Sequence, residues 1–158
     1  MPVIAEVQGM ATGAGCQLVA QCDLAVAAEH ANLAVSGVNR GLFCSTLVVT
    51  LTPTISRKRA AEMPMTGEFI DAATALNWGL ANGVVPANAL RNTTLKLCET
   101  LKAKPRGALA TGNALVYRQL ELGMDTAYVD ASATIAANFA DDDAQEGVAA
   151  FLQKRKPD

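Results

Sequence analysis

The residues best suited to chemistry lie in the segment GMATGAGCQLVAQCD, residues 9–23, between the apolar runs 3–7 and 24–27. Its glycines follow a predicted strand and precede a predicted helix, so backbone N–H groups in the turn would point at an anion near the helix N-terminus. The pyrophosphate of a dinucleotide is the first such anion to consider.

The dinucleotide alternative rests on glycine spacing. Gly9, Gly13 and Gly15 are spaced as in the turn of short-chain dehydrogenases, and Glu29 lies where an acid would bind the ribose. Those enzymes also need a Tyr-x-x-x-Lys pair, and neither tyrosine of this chain has a lysine four residues later. After Phe43 the sequence predicts helices only, which leaves too few strands for a doubly wound sheet. We therefore disfavour a dinucleotide.

The elements that must position the turn are strands and helices in the first third of the chain, followed by helices. Strands are predicted at 3–7, 24–27 and 32–35, and residues 83–86 as an extended connector. Predicted helices cover 44–66 with breaks at Pro53 and Pro64, 71–79 with Asp71 in the first turn, and about 87–103, 106–122 and 125–140. A last helix is expected to begin at Asp143, with Glu146 completing a capping box.

Composition excludes several classes of function. The chain has 158 residues, of which 51% are apolar and 18% charged, with a formal charge of −2. This balance gives no clustered basic surface for nucleic acid, and no apolar run is long enough to span a bilayer. The four cysteines form no C-x-x-C pair and accompany the single His30, so we expect reduced thiols and no metal site.

Three segments resemble the enoyl-CoA hydratase/isomerase family, also called the crotonase family. They are PVIAEVQGMATGAGCQLVAQCDLAVAAEHA near the start, MTGEFIDAATALNWGLANGVV in the middle and DDDAQEGVAAFLQKRKP at the end. Within the family, GCQLVA, GVNRGLFCST and FLQKRKP are similar to one subgroup. The order and length of the matches identify the chain as a family member.

The resemblance implies an α/β fold: the C-terminal portion of the crotonase (ClpP-like) ββα spiral, followed by a helical trimerisation region. Residues 1–66 would form a partial ββα core, and residues 67–158 would serve oligomerisation, as a homotrimer or hexamer, and contact coenzyme A. Full members carry further ββα units before the matched part, which supply a second oxyanion N–H and most of the coenzyme A pocket. We expect these units to be missing here.

The resemblance also answers which anion the turn would hold. In the family, backbone N–H groups stabilise the enolate oxygen of an acyl-CoA thioester, and one of them corresponds to Ala14, next to Gly13 in the substrate pocket. Two glutamates of the hydratases exchange protons, and their positions hold Gln17 and Gly37. Since neither residue can transfer a proton, we expect hydration to be weak, and glutamates at both positions to raise it.

Five further residues are expected to bind substrate. Asn39, Cys44 and Ser45 would face the acyl group. In the family the final helix crosses to a neighbouring subunit and contacts the adenine and phosphates of coenzyme A there, and Phe151 and Lys154 match the residues that make this contact. Cys44 precedes a predicted helix, where a thiol can be reactive, but a small packing residue is the favoured alternative.

The implied activity is that of a lyase of the enoyl-CoA hydratase type or a related acyl-CoA isomerase or hydrolase, with the coenzyme A thioester as substrate and no cofactor. The alternative is a non-catalytic subunit or fragment that acts through oligomerisation. We expect a cytoplasmic location in a bacterium, and the mitochondrial matrix for a longer eukaryotic form. Nucleic acid and membranes are not expected partners.

Overall fold

The computed structural model describes residues 1–157. The chain forms two compact units, one over Val3–Glu99 and one that begins at Thr100 and includes Met1 and Pro2. The boundary lies at residue 99 instead of the expected 66, because two strands beyond residue 66 pair with the strands of the first unit.

The first unit opens with two successive ββα modules. The first comprises β1 (Ile4–Val7), β2 (Met10–Thr12) and α1 (Ala14–Gln21). The second comprises β3 (Leu24–Ala28), β4 (Asn32–Ala34), a 3₁₀ turn (Ser36–Arg40) and α2 (Ser45–Leu51). Equivalent strands of the two modules pair in parallel, β1 with β3 and β2 with β4.

The remaining elements complete two three-stranded sheets. They are α3 (Arg57–Thr66), β5 (Phe69–Asp71), α4 (Ala72–Trp78), β6 (Gly83–Val85) and α5 (Leu90–Lys102), with a short 3₁₀ turn at Ala87–Ala89. β6 lies parallel to β3, and β5 antiparallel to β4. The expectation of helices only after Phe43 was therefore wrong at β5, whereas β6 lies within the extended connector predicted at 83–86. A three-residue strand is defined mainly by the strands that pair with it.

The core of the first unit lies among α1, α2, α3 and the sheets. Leu33, Leu47, Leu51 and Met63 are its largest fully buried side chains, and each such burial contributes about 1.5–3 kcal/mol. The predicted break at Pro53 is confirmed, since α2 ends at Leu51. The break at Pro64 is not: α3 continues to Thr66, because a proline in the last turn removes only one hydrogen bond.

The second unit contains α6 (Arg106–Gln119), α7 (Met124–Asn138) and α8 (Asp142–Leu152). The α6 and α7 helices are joined by Arg118, whose guanidinium donates to Asp130 at 2.8 Å. The predicted cap at Asp143 was wrong: Asp141 is the N-cap, and Glu146 pairs with Arg155. No helix in the described part of the chain is long and apolar enough to cross a membrane.

Candidate active site

The candidate site lies where the chain leaves two neighbouring strands. Because β2 and β4 are parallel, with Thr12 opposite Ala34, their carboxyl ends meet at one edge of the sheet. The Gly13 N–H donates to the Ala34 carbonyl oxygen at 3.1 Å, and the hydroxyl oxygens of Thr12 and Ser36 lie 2.9 Å apart. The structure thus brings the glycine turn next to the 3₁₀ turn that contains Gly37.

The glycine turn ends at the N-terminus of α1. Gly13 is the N-cap with a φ of +55°, and Ala14 is the exposed first helical residue. The N–H groups of Ala14, Gly15 and Cys16 belong to the first helical turn, where the helix offers no acceptor. They lie at the positive end of the helix dipole, so this end of α1 suits an oxygen that gains negative charge.

The groups beside this turn do not supply a base. Gln17 is half-buried, and its backbone N–H donates to the Gly13 carbonyl oxygen at 3.0 Å. Its side-chain amide does not titrate at neutral pH. Burial raises the pKa of the Cys16 thiol to about 11, although a hydrogen bond with the Ala34 backbone opposes the shift. Cys16 is therefore a neutral thiol at pH 7.

Gly37 lies in a turn that has no room for a side chain. The Leu42 N–H donates to the Gly37 carbonyl oxygen at 3.1 Å and closes the turn. A Cβ atom on Gly37 would lie 2.5 Å from the Cys44 Sγ and 2.7 Å from the Leu42 carbonyl oxygen. Because one of these atoms belongs to the backbone, a glutamate at this position requires the turn itself to move. The position expected to correspond to the second family glutamate therefore has no space for a side chain.

The residues expected near the acyl group have different surroundings. Asn39 directs its amide away to another element, since its Nδ2 donates to the Gly67 carbonyl oxygen at 3.2 Å. Cys44 is half-buried and packs against the core of the first unit. Ser45 is exposed and begins α2. The structure therefore brings Cys44 next to Gly37, and ties Asn39 to Gly67.

Phe151 and Lys154 belong to the second unit. Phe151 is 80% exposed near the end of α8, which is unusual for a phenylalanine. Lys154 has a φ of +54°, the single non-glycine residue with positive φ among residues 1–157, and its N–H donates to the Phe151 carbonyl oxygen. The Arg155 guanidinium donates hydrogen bonds to the Glu146 carboxylate, and these bonds raise its pKa and keep it charged.

Comparisons with known proteins decide the family. Residues 1–158 match the family described as Enoyl-CoA hydratase/isomerase. This chain belongs to the enoyl-CoA hydratase/isomerase family. The predicted resemblance is confirmed, including the subgroup: mouse enoyl-CoA hydratase domain-containing protein 3, mitochondrial, is 47% identical over 157 residues, 99% of this chain and 52% of the relative.

Solved members of the enoyl-CoA hydratase/isomerase family share the fold. An enoyl-CoA hydratase from Mycobacterium smegmatis, 54% identical, matches 99% of this chain and 61% of its own with a TM-score of 0.97. Human enoyl-CoA hydratase domain-containing protein 3, 47% identical, matches 100% of this chain and 62% of its own with a TM-score of 0.95. The α/β crotonase-like fold is thus confirmed. The chain spans about half the length of the curated relatives it matches.

Sequence reasoning missed the hydroxyl pair of Thr12 and Ser36 at this edge of the sheet. Thr12 directly precedes Gly13, and Ser36 directly precedes Gly37. Only the parallel pairing of β2 and β4 brings the two hydroxyls together, and a spacing argument along the chain contains no such signal. Within residues 1–157, no cluster of three or more histidine, cysteine or acidic side chains is arranged to hold a metal ion.

Proposed function

We propose that this chain binds acyl-CoA thioesters and holds the thioester oxygen at the N-terminus of α1. The observation that carries the proposal is the turn at Gly13 and Ala14. Gly13 donates its N–H to Ala34, whereas the N–H of Ala14 lies in the first helical turn and has no acceptor within the helix. As enolate charge develops on the oxygen, this N–H and the helix dipole would stabilise it.

The proposal assigns the other parts of the ligand by family. Gly13 would line the pocket at the thioester, and Cys44 and Ser45 would lie beside the acyl chain. Phe151 and Lys154 would contact the adenine and phosphates of coenzyme A bound to a neighbouring subunit. The family of the relatives supports these assignments. The exposed aromatic ring and the cationic end of α8 offer the chemistry that adenine and phosphate require.

Hydration would be slow in this chain. The water and the α-carbon of an enoyl thioester need a proton acceptor and a proton donor, and each contributes about 10²–10⁴-fold when correctly placed. Gln17 and Gly37 provide neither group. The oxyanion N–H alone would still stabilise an enolate, so the activity left to the chain would be residual hydration or an isomerase or hydrolase reaction of acyl-CoA.

A non-catalytic subunit is the second candidate, and the closed turn at Gly37 favours it, because that turn excludes a catalytic side chain. Such a subunit would act through a homotrimer or hexamer formed by its helical region. Exposed apolar side chains in the second unit support this assembly: Val129 is 70%, Phe139 59% and Leu152 74% exposed. Sedimentation velocity would measure the assembly directly.

The test removes the Ala14 N–H and keeps the helix. Proline is tolerated at the first helical position, so Ala14→Pro deletes this donor with little change in α1, whereas Ala14→Gly retains it as the matched control. Calorimetry would compare butyryl-CoA with free coenzyme A. We expect Ala14→Pro to lower the ratio of the butyryl-CoA affinity to the coenzyme A affinity about tenfold. Ala14→Gly should leave this affinity ratio unchanged. Equal ratios in both variants would contradict the proposal.

A further inference from the structure

The turn over residues 36–44, hereafter the acyl-side turn, is attached to the C-terminus of α3 through Asn39. The Asn39 Nδ2 donates to the Gly67 carbonyl oxygen at 3.2 Å, across 28 residues of sequence. Gly67 is buried and terminates α3, and its own N–H donates to the Met63 carbonyl oxygen at 3.0 Å. The hydrogen bond therefore joins a surface turn to a helix whose Met63 lies in the core.

The Asn39 side chain lies in the space that a side chain at position 67 would occupy. Its φ of +67° is one that residues with a Cβ rarely adopt. A Cβ atom at Gly67 would lie 2.7 Å from the Asn39 Oδ1 and 2.8 Å from the Val38 Cγ1. Backbone conformation and space thus both require glycine here, and the space is occupied by the acyl-side turn.

Backbone hydrogen bonds connect the two ends of the acyl-side turn. The Gly41 N–H donates to the Val38 carbonyl oxygen at 3.0 Å, and the Leu42 N–H donates to the Gly37 carbonyl oxygen at 3.1 Å. Gly37 also lies so close to the Cys44 Sγ that a Cβ atom would not fit between them. These contacts connect residue 39 to Gly37 and Cys44 within one closed turn.

We propose that Asn39 is a positioning residue: its contact with Gly67 fixes the acyl-side turn against α3 and so sets the shape of the acyl end of the ligand site. The inference rests on the proposed function for its ligand. It replaces the expected direct contact of Asn39 with substrate, because one amide hydrogen of Asn39 already serves this attachment.

The first experiment measures alkylation of Cys44 in the folded protein. Iodoacetamide would be added to the wild type, Asn39→Ala and Asn39→Asp, and each cysteine peptide would be quantified by mass spectrometry. Asn39→Asp keeps the shape of the side chain and removes the donor. Asn32→Ala is the matched control, since the Asn32 side-chain amide donates to the carbonyl oxygen of His30, two residues away.

We expect Cys44 to react about fivefold faster in both Asn39 variants. The alkylation rate follows the equilibrium for local opening of the turn, and the loss of one hydrogen bond shifts that equilibrium by about this factor. Cys98 in α5 should react at the wild-type rate, and the control should match the wild type. An unchanged Cys44 rate would overturn the proposal. A uniform increase at Cys16, Cys44 and Cys98 would overturn it too, because Asn39 would then support the whole unit.

The second experiment tests whether the Asn39–Gly67 contact affects the affinity for the thioester ligand. Calorimetry would give the affinity ratio of butyryl-CoA to free coenzyme A, which we expect to fall about three- to tenfold in Asn39→Asp with coenzyme A affinity unchanged. Faster Cys44 labelling with an unchanged ratio would overturn the positioning role. If the wild type does not discriminate the thioester from coenzyme A, the proposed function fails with the positioning role, and the labelling still reports whether Asn39 fixes the turn.

Discussion

We propose that Gln17 and Gly37 occupy the two family glutamate positions, and the two residues differ in what surrounds them. Gln17 is half-buried on α1 and has the same shape as glutamate, so a carboxylate can replace its amide without new volume. Gly37 faces the Leu42 carbonyl oxygen and the Cys44 Sγ at distances that exclude a Cβ atom. A carboxylate can therefore be introduced at position 17 by one substitution, whereas one at position 37 requires the turn to change.

Gln17→Glu should raise hydration of crotonyl-CoA at least about tenfold, because one proton-transfer group contributes about 10²–10⁴-fold when it is correctly placed. Gly37→Glu should give no gain and should destabilise the fold by about 1–3 kcal/mol, the usual cost of overpacking. Loss of enoyl thioester absorbance measures the rate, and urea unfolding measures the stability. A gain from Gly37→Glu in a stable protein would show that the turn can open.

The sequence could predict the strand–turn–helix segment that contains Ala14 and Gln17, because its residues follow one another along the chain. The roles proposed for these two residues come from the family resemblance. The crowding at Gly37 could not be predicted, because it depends on how residues 38–43 fold back on residue 37. The pairing of Asn39 with Gly67 needs the position of α3, which no local pattern specifies.

At the scale of elements, the C-terminus of α3 depends on Gly67. Gly67→Ala should lower the free energy of unfolding of the first unit by about 2–4 kcal/mol, because alanine is disfavoured at positive φ and its Cβ would overlap Asn39 and Val38. Urea unfolding, monitored by the fluorescence of Trp78, measures this free energy of unfolding. Gly9→Ala is the control, since a Cβ there meets no atom within 4 Å. Equal stability of the two variants would contradict this account of the turn.

The helix α4 has an acid-sensitive cap. Asp71 accepts a hydrogen bond from the Thr74 N–H at 2.7 Å, and the bonds with Thr74 lower the pKa of this carboxyl below 3.8. The lower folded-state pKa means that the cap stabilises the fold above pH 3.8 and loses its effect as the pH falls through the folded pKa.

Asp71→Ala should therefore lower the Tm at pH 7, and its difference from the wild type should shrink as the pH falls below 3.8. Thermal unfolding at a series of pH values measures this difference. Glu68→Ala serves as a neighbouring acidic control and should show no such trend. A difference that stays constant from pH 7 to pH 2.5 would show that the Asp71 carboxylate does not stabilise α4 through its charge.

Long elements were more predictable than short ones. The predicted helices near 87–103, 106–122 and 125–140 correspond to α5, α6 and α7, because Pro105 and Gly123 separate three long stretches without strand signals. The three-residue strands β2 and β5 were not predicted, although β4, which is equally short, was; such strands are defined mainly by the strands that pair with them. The α8 cap was misplaced because three consecutive aspartates offer equivalent caps.

At the scale of the whole molecule, the proposed contact with the nucleotide of coenzyme A lies on the second unit. Lys154→Ala should weaken binding of coenzyme A about tenfold at low salt, and the loss should shrink as salt screens the phosphates. Binding of a pantetheine thioester without the nucleotide should not change. Lys154→Gly should weaken coenzyme A binding as much as Lys154→Ala does, although glycine adopts the positive φ of this position without strain. Equal losses in the two variants would assign the effect to the lost charge and not to the backbone. Equal losses for both ligands would show that Lys154 acts through folding or assembly.

The central claim is that this family member binds coenzyme A thioesters without efficient hydration. One measurement tests it most directly: crotonyl-CoA is titrated into the protein while binding heat and enoyl thioester absorbance are followed together. The account predicts saturable binding with absorbance that falls at least about 10²-fold more slowly than with a hydratase that has both glutamates. Absence of binding, or turnover as fast as that hydratase, would contradict it.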